Sequence, residues 1–217
     1  MINKKKVIIL GTMHEFHNVI HSYSMKILEN TIDSLNPDII CAELSEDQLF
    51  NRVTCNSKPE YYEVIIPLAK RKRIKICPVQ PNTPEGMKWG AKKDSIIKNV
   101  KNTENKRNYY KCYEDFGSIF RDNFLLKWND FKLYQSEISD LFFESEYEYN
   151  KQLVPDLWEL REEWNTSIYN NINEVVKNIS ADKTILITIG LAHKFWLTKK
   201  FKIRDDIYLD YIENYFS

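Results

Sequence analysis

Short runs of aliphatic residues, bounded by charged or turn-forming residues, recur along the chain. They are KVIIL at 6–10, DIICAEL at 38–44, RIKICPV at 73–79 and KTILITIG at 183–190. Short apolar runs with such boundaries are typical of strands buried within a parallel sheet. We therefore predict that these runs are the strands of one parallel sheet.

Stretches with helical periodicity separate the predicted strands. Apolar residues recur at spacings of three and four over 18–35, around 60–72 and over 154–179. Alternation of strands with helices is the signature of a parallel sheet whose crossovers are right-handed. The pattern predicts an α/β fold in which helices flank a central, mostly parallel sheet.

The segment after the third predicted strand departs from this alternation. Residues 78–86, PVQPNTPEG, contain three prolines and a glycine and predict a loop. Residues 88–150 are charged, aromatic and poor in strand patterns. We predict that 88–150 is a helical insertion forming a cap within a single α/β domain, 1–217. Most of its aromatic residues are expected in a core, and some could wall a pocket over the strand ends.

Composition narrows the classes of function. The 31 basic residues balance the 31 acidic ones, so no overall field would attract nucleic acid or an anionic membrane surface. The longest apolar runs are far too short for a membrane span or a signal peptide. The cysteines lack CxxC pairing and are expected to be reduced and structural; they are Cys41, Cys55, Cys77 and Cys112. We expect a soluble, cytoplasmic protein without nucleic-acid or membrane partners.

Polar residues of an unusual kind follow three of the predicted strands. Gly11 and His14 follow the first, Glu43 follows the second, and Gly190 and His193 follow the last. Ligands of open parallel sheets bind beyond the carboxyl ends of the strands. Each glycine would allow a sharp exit from its strand or a close approach of the backbone to a bound group. We predict that two imidazoles and a carboxylate share one rim of the sheet.

Such a trio supports two kinds of chemistry. His14, Glu43 and His193 could bind a divalent transition metal, Mn, Co or Zn, whose bound water becomes a nucleophile. Alternatively, one histidine oriented by Glu43 acts as a general base on water directly. A histidine after a glycine is by itself often only a turn residue, so the matched pair with Glu43 carries the hypothesis. A carboxylate in an apolar strand is costly unless it is paired or liganded.

Other polar residues are weaker candidates. His17 and His21 follow His14 at spacings of three and seven and could share a helix face with it, although a solvated face explains His21 equally well. Arg161 lies among glutamates on the helix before the last strand. It is expected either to form a surface ion-pair cluster or to reach the rim and bind Glu43 or an anionic substrate.

Four sequence blocks resemble a known superfamily. GTMHEFH, PDIICAEL, LREEWNTSI and ITIGLAHKFWLTKKF are similar, in order and approximate spacing, to blocks in the superfamily of TraB and PrgY pheromone-shutdown proteins, TIKI proteases, erythromycin esterases and ChaN-like proteins. The resemblance covers roughly residues 5–82 and 155–200. It implies that His14, Glu43, His193 and Arg161 belong to one site. Many relatives have an acidic residue after the third strand, where this chain has Gln80 and Asn82.

The resemblance implies more than one activity, because TIKI-type members resemble metal-dependent peptidases, erythromycin esterases hydrolyse a lactone and ChaN-like members bind haem. The leading prediction is a metal-dependent hydrolase that cleaves a peptide, ester or related bond in a peptide or small-molecule substrate. Arg161 would stabilise negative charge developing in the transition state. The alternatives are a non-catalytic protein that binds haem or another ligand at the same site, and a partner-binding domain with an eroded site.

Overall fold

The computed structural model describes residues 4–50 and 55–215. Its strands are β1 (Lys5–Thr12), β2 (Ile39–Ala42), β3 (Lys75–Pro78), β4 (Thr184–Gly190) and β5 (Ile207–Asp210). Its α-helices are α1 (Met25–Leu35), α2 (Glu46–Leu49), α3 (Ile66–Lys72), α4 (Thr83–Asn102), α5 (Glu104–Asn123), α6 (Phe131–Gln135), α7 (Glu137–Leu153), α8 (Pro155–Lys177) and α9 (Leu191–Lys202). No helix within these ranges is long and apolar enough to cross a membrane.

The strands form one parallel sheet in the order β3-β2-β4-β1-β5. Leu186 of β4 lies opposite both Ile8 of β1 and Ile40 of β2, and all three side chains are fully buried. The aliphatic runs are therefore strands covered on both faces, as their lack of polar residues requires. The predicted α/β fold with a central parallel sheet flanked by helices is confirmed.

The edge strand β5 was not predicted. It pairs with β1 only from Lys5 to Ile8, and two of its four residues are not buried. Beyond Ile8, the backbone of Gly11 pairs instead with the amide of Gln135 at the end of α6. Gln135 Oε1 accepts from Gly11 N–H at 2.9 Å, and Gln135 Nε2–H donates to Gly11 O at 3.0 Å. The helical insertion thus completes the sheet edge with a side chain.

The helix predicted over 18–35 begins later in the structure than the sequence pattern predicts. His14–Asn18 and His21–Tyr23 form 3₁₀ turns, and α1 begins only at Met25. Its buried face contains Leu28, Thr31, Ile32 and Leu35. The predicted end is confirmed, because Asn36 adopts a left-handed conformation with φ 43° immediately before Pro37.

The other helical regions also differ from the prediction at their ends. The insertion extends further than 88–150, from Thr83 in α4 to Leu153 in α7.

The helical stretch around 60–72 contains a π-helical turn, Tyr61–Ile65, before α3. Pro67 has no N–H to donate to the carbonyl of Glu63, and a wider turn is a common response to such a gap. This turn directly follows Glu60, a residue of the candidate site.

Candidate functional site

The crevice between the carboxyl ends of β1 and β4 is the topological switch point of the sheet. After β1 the chain passes β4 to reach β2, and after β4 it passes β1 in the opposite direction to reach β5. Right-handed crossovers in opposite directions leave the sheet on opposite faces, and ligands of open α/β sheets bind in the crevice between them. His14 and Gly190 both lie at this crevice.

The structure brings His14 and Glu43 together across the end of β4. His14 Nε2 lies 3.9 Å from Glu43 Oε2, and Glu43 Oε2 accepts from Gly190 N–H at 2.6 Å. A Cβ atom added to Gly190 would lie 2.8 Å from His14 Nε2 and 3.4 Å from Glu43 Oε2. Because the φ of Gly190 is an ordinary −54°, its glycine is needed for space beside the imidazole and not for backbone freedom.

A second carboxylate, Glu60, holds the other side of the His14 ring. His14 Nδ1–H donates to Glu60 Oε1 at 2.7 Å. Glu60 is fully buried, and its Oε2 atom has no partner among the described residues. Glu60 is not among the site residues predicted from the sequence. A signal was present, because Glu60 precedes the buried Val64 and Leu68 at helical spacings of four and eight, and a carboxylate on an apolar helix face requires a partner.

The cation that pairs with Glu43 is Lys58. Lys58 Nζ donates to Glu43 Oε1 at 2.7 Å, to the Glu43 backbone carbonyl at 2.7 Å and to Gln80 Oε1 at 3.0 Å. Only 8% of Lys58 is exposed. No local signal distinguishes Lys58 in the sequence, because a lysine in the polar stretch CNSKPE resembles any surface lysine. Glu43 therefore has its compensating charge from a loop residue instead of from Arg161.

Neighbouring charges decide the protonation of His14 and Glu43. Burial opposes a charge on His14, but the hydrogen bond to Glu60 and the charges of Glu43 and Glu60 raise its pKa above the ordinary value. Burial likewise opposes a charge on Glu43, and Lys58, His14 and His193 outweigh it and hold the pKa of that carboxyl well below its usual range. Glu43 is ionised at neutral pH, and His14 exchanges its proton at a higher pH than an ordinary histidine.

The charge of Glu43 also acts on His193, but the pKa of His193 shifts in the opposite direction from that of His14. Its Nδ1–H donates to Asn165 Oδ1 at 2.5 Å. Burial lowers the pKa of His193 to about 4, although Glu43 opposes this shift; the positive charge of Arg161 adds to it. The imidazole is therefore neutral at pH 7, and its Nε2 is left as an acceptor.

Arg161 supports the turn that carries His193. Its Nη2–H donates to the carbonyl of Ala192 at 2.9 Å, its Nη1 lies 3.9 Å from Glu146 Oε2, and its guanidinium lies over the ring of Tyr147 at 5.4 Å from the centroid. The predicted bond from Arg161 to Glu43 is not formed. Arg161 acts on the site by fixing the backbone beside His193 and by its charge.

The weaker candidates do not join the cluster. His17 is buried, its Nε2 accepts from Met13 N–H at 2.9 Å and its Nδ1–H donates to the carbonyl of Tyr23 at 2.7 Å. Both of its ring nitrogens thus stabilise the first turn, in which His14 has φ 52°, a costly value for a residue other than glycine. His21 is exposed.

The contacts of Glu43 test whether the predicted ligands fit a divalent metal. Oε1 is bound by the ammonium of Lys58 and Oε2 by the amide of Gly190, and the ammonium would repel a second cation on the same carboxylate. Within residues 4–50 and 55–215, no three His, Cys, Asp or Glu side chains are grouped so as to hold a metal ion. As arranged, the side chains do not fit a metal centre, and metal dependence stays a prediction from sequence.

A cavity of about 360 Å³ adjoins the cluster. Its lining includes Ser45, Gln48, Gln80, Trp89 and Trp164. Gln80 also accepts from Lys58, and the rings of Trp89 and Trp164 lie 5.0 Å apart between centroids. A larger cavity, about 510 Å³, lies beside α7, α9 and β5. Neither lining includes His14, Glu43, Arg161 or His193, but the smaller cavity includes Gln80, which binds Lys58 of the cluster, and the larger one does not. The smaller cavity is therefore the better candidate for a substrate pocket.

The fold and the site define an α/β protein with a charged cluster of histidine, glutamate and lysine at the switch point of a parallel sheet. No protein-family model, curated protein or solved structure matches the chain. The resemblance to the superfamily of TraB, TIKI and erythromycin esterase proteins accordingly stays a prediction from sequence motifs.

Proposed function

We propose that this chain is a hydrolase in which His14 activates a water molecule for attack on a carbonyl carbon. The observation that carries this proposal is the 2.7 Å contact between His14 Nδ1 and the buried carboxylate of Glu60. This contact fixes the ring and its tautomer, leaving Nε2 to take up a proton. Because 27% of the His14 side chain is exposed, water and a substrate can reach the ring.

In the proposed reaction, one proton passes from water to His14 and then to the leaving group. Water loses a proton to His14 Nε2 as its oxygen bonds to the substrate carbonyl carbon. The imidazolium that forms lies between two carboxylates, Glu60 at Nδ1 and Glu43 near Nε2, which stabilise its charge. The same proton then passes from Nε2 to the departing alkoxide or amine when the bond to the leaving group breaks. The raised pKa of His14 makes its ring a stronger base for the first of these steps.

Negative charge on the carbonyl oxygen requires a donor group. Helix α9 begins at Leu191, directly after Gly190, and the first N–H groups of a helix have no acceptor within it. These groups and the helix dipole would stabilise an oxyanion in the crevice. Arg161 would act indirectly, because it binds the carbonyl of Ala192 in this first turn.

The adjoining cavity supports a proposal for the class of substrate. Its volume of about 360 Å³ suits a small molecule or one or two residues of a peptide. The two tryptophan rings would contact a flat or apolar group, and Gln80 offers a polar contact at the end nearest Lys58. We propose a small ester, a lactone or a short peptide with an apolar group next to the cleaved bond.

The test is a hydrolysis panel of aryl esters, lactones and short peptides. His14→Gln is expected to lower the rate about 10²- to 10⁴-fold because it removes the base. Glu60→Gln should lower it less and move the pH optimum downwards, because a neutral amide no longer raises the pKa of His14. His21→Gln, which changes an exposed histidine, is the matched control and should hydrolyse at the wild-type rate.

Equal rates for the wild type and His14→Gln would contradict the proposed role of His14. A panel on which the wild type has no activity would favour the other functions predicted from sequence, a haem-binding or ligand-binding protein or a partner-binding domain. A change in visible absorbance on titration with haem would then distinguish a haem-binding protein from a partner-binding domain.

A further inference from the structure

We propose that the ammonium of Lys58 is the resident cation of this site and takes the place that a divalent metal would occupy beside Glu43. The catalytic role of Lys58 rests on the proposed hydrolase function. With Lys58 in this position, hydrolysis would not require a metal. The binding claim itself can be tested without any substrate.

The side chain of Lys58 is held as fully as a bound ion. An ammonium has three N–H donors and no acceptor, and Lys58 has three oxygen acceptors within 3.0 Å. Two of these belong to Glu43, one to its carboxylate and one to its backbone carbonyl. The third is Gln80 Oε1. A surface lysine seldom has its donors satisfied in this way, so this side chain has a fixed position.

The backbone of Lys58 is also fixed in position. Lys58 N–H donates to the carbonyl of Cys55, and Tyr61 N–H donates to the carbonyl of Lys58, each at 3.3 Å. Pro59 follows directly and restricts the chain. The hydroxyl of Tyr61 in turn donates to the carbonyl of Thr188 and accepts from Glu43 N–H. The loop is thereby tied to the ends of β2 and β4 and directs Lys58 at Glu43.

The balance of charge in the cluster favours Lys58 over a divalent ion. The cluster contains two buried carboxylates, Glu43 and Glu60. Lys58 compensates one, and His14 compensates the other when it accepts a proton. Gln80, which completes the shell of the ammonium, is neutral. A divalent ion added to this set would leave excess positive charge in a buried place, which is costly.

The experiment measures binding of Mn²⁺, Co²⁺ and Zn²⁺ to chelator-treated protein by calorimetry and by elemental analysis after dialysis. The wild type is expected to retain far less than one equivalent at this site, with no difference between wild type and His14→Ala. Lys58→Met is expected to gain close to one equivalent, and the double variant Lys58→Met with His14→Ala should lose it again. Lys92→Met, which changes an exposed lysine paired with Glu163, is the matched control and should behave as the wild type.

The wild-type measurement alone decides the proposal if Lys58→Met fails to fold. One equivalent of metal bound by the wild type and lost in both His14→Ala and Glu43→Gln would overturn it. A folded Lys58→Met, as judged by circular dichroism, that gains no metal would also overturn it, because the vacated position would then not be a cation site.

The two proposals fail separately. Hydrolysis that survives chelators supports both of them. Hydrolysis that requires an added metal, bound through His14 and Glu43, upholds the hydrolase and overturns the role of Lys58. Absence of hydrolysis, together with absence of metal at the site, upholds the role of Lys58 and contradicts the hydrolase.

Discussion

The two Gly-x-x-His turns of this protein are alike in sequence and opposite in environment. In the first, His14 sits in a 3₁₀ turn with a left-handed backbone, and its ring is bound to the carboxylate of Glu60. In the second, His193 lies in the first turn of a regular α-helix, and its ring is bound to the neutral amide of Asn165. The same Gly-x-x-His spacing therefore places two imidazole rings beside partners of different charge.

The difference in partner changes the protonation of each ring. A carboxylate at Nδ1 favours the imidazolium, so the pKa of His14 is raised despite its burial. An amide provides no charge, so burial dominates and the pKa of His193 falls to about 4. Two titratable groups whose environments move their pKa values apart are a common basis for separate roles in catalysis. Under the proposed function, His14 would transfer protons and His193 would serve as a neutral acceptor.

The glycine of the second turn provides the strongest way to break this arrangement. Gly190→Ala would place a Cβ atom 2.8 Å from His14 Nε2, and neither Glu43 nor His14 can move without losing a buried contact. We expect a loss of about 1–3 kcal/mol in the free energy of unfolding, because overpacking costs about this much. Hydrolysis should fall by more than the population of unfolded protein explains. Urea denaturation and rate measurements on the same preparation check both effects.

Gly117→Ala, in α5, is the control for this substitution. A Cβ atom at Gly117 would meet nothing within 4 Å, and alanine is favoured over glycine within a helix by about 1 kcal/mol. The control should therefore be as stable as the wild type or more so. If the two variants have equal stability and activity, the close approach of Gly190 to His14 has no importance.

The dependence of stability on pH separates the two histidines. Between pH 6.5 and 4, unfolded His193 binds a proton that the folded protein does not, so this group destabilises the fold as the pH falls. The pKa of His14 is raised, so its contribution is fully present below the unfolded pKa and is lost as the pH rises through the folded pKa. From pH 7.5 to 5, His193 is expected to cost about 2 kcal/mol.

The measurement is urea denaturation of the wild type, His14→Gln and His193→Gln at both pH values. His193→Gln should lose less stability than the wild type on acidification, and His14→Gln should lose more. If both variants lose more stability than the wild type on acidification, or both lose less, the pKa values of the two rings are not shifted in opposite directions.

The sheet and the strand-end residues were predictable because their signals are local. Each of the four predicted runs contains its own aliphatic pattern, and Gly11, Glu43 and Gly190 follow directly in sequence. The short edge strand β5 lacks such a run. The 3₁₀ turns before α1 could not be predicted either, because Ile20 and Tyr23 continue the helical pattern, whereas hydrogen bonds of His17 to the backbone of Met13 and Tyr23 determine the conformation.

The partners within the site were less predictable, because tertiary contacts select them. Arg161 and Lys58 were equally available as cations for Glu43, and the loop before the π-helical turn brings Lys58 to the carboxylate. Arg161 meets the carbonyl of Ala192 instead. Glu60 could have been noticed on its apolar helix face, but its partner could not, since His14 is 46 residues away in sequence.

The most direct test of the central claim is a titration of the histidine side-chain resonances by NMR, assigned with His14→Gln and His193→Gln. The account predicts that His14 titrates above the ordinary value of 6.5 and that His193 remains neutral until about pH 4. A pKa for His14 at or below 6.5, or two rings that titrate together, would contradict it.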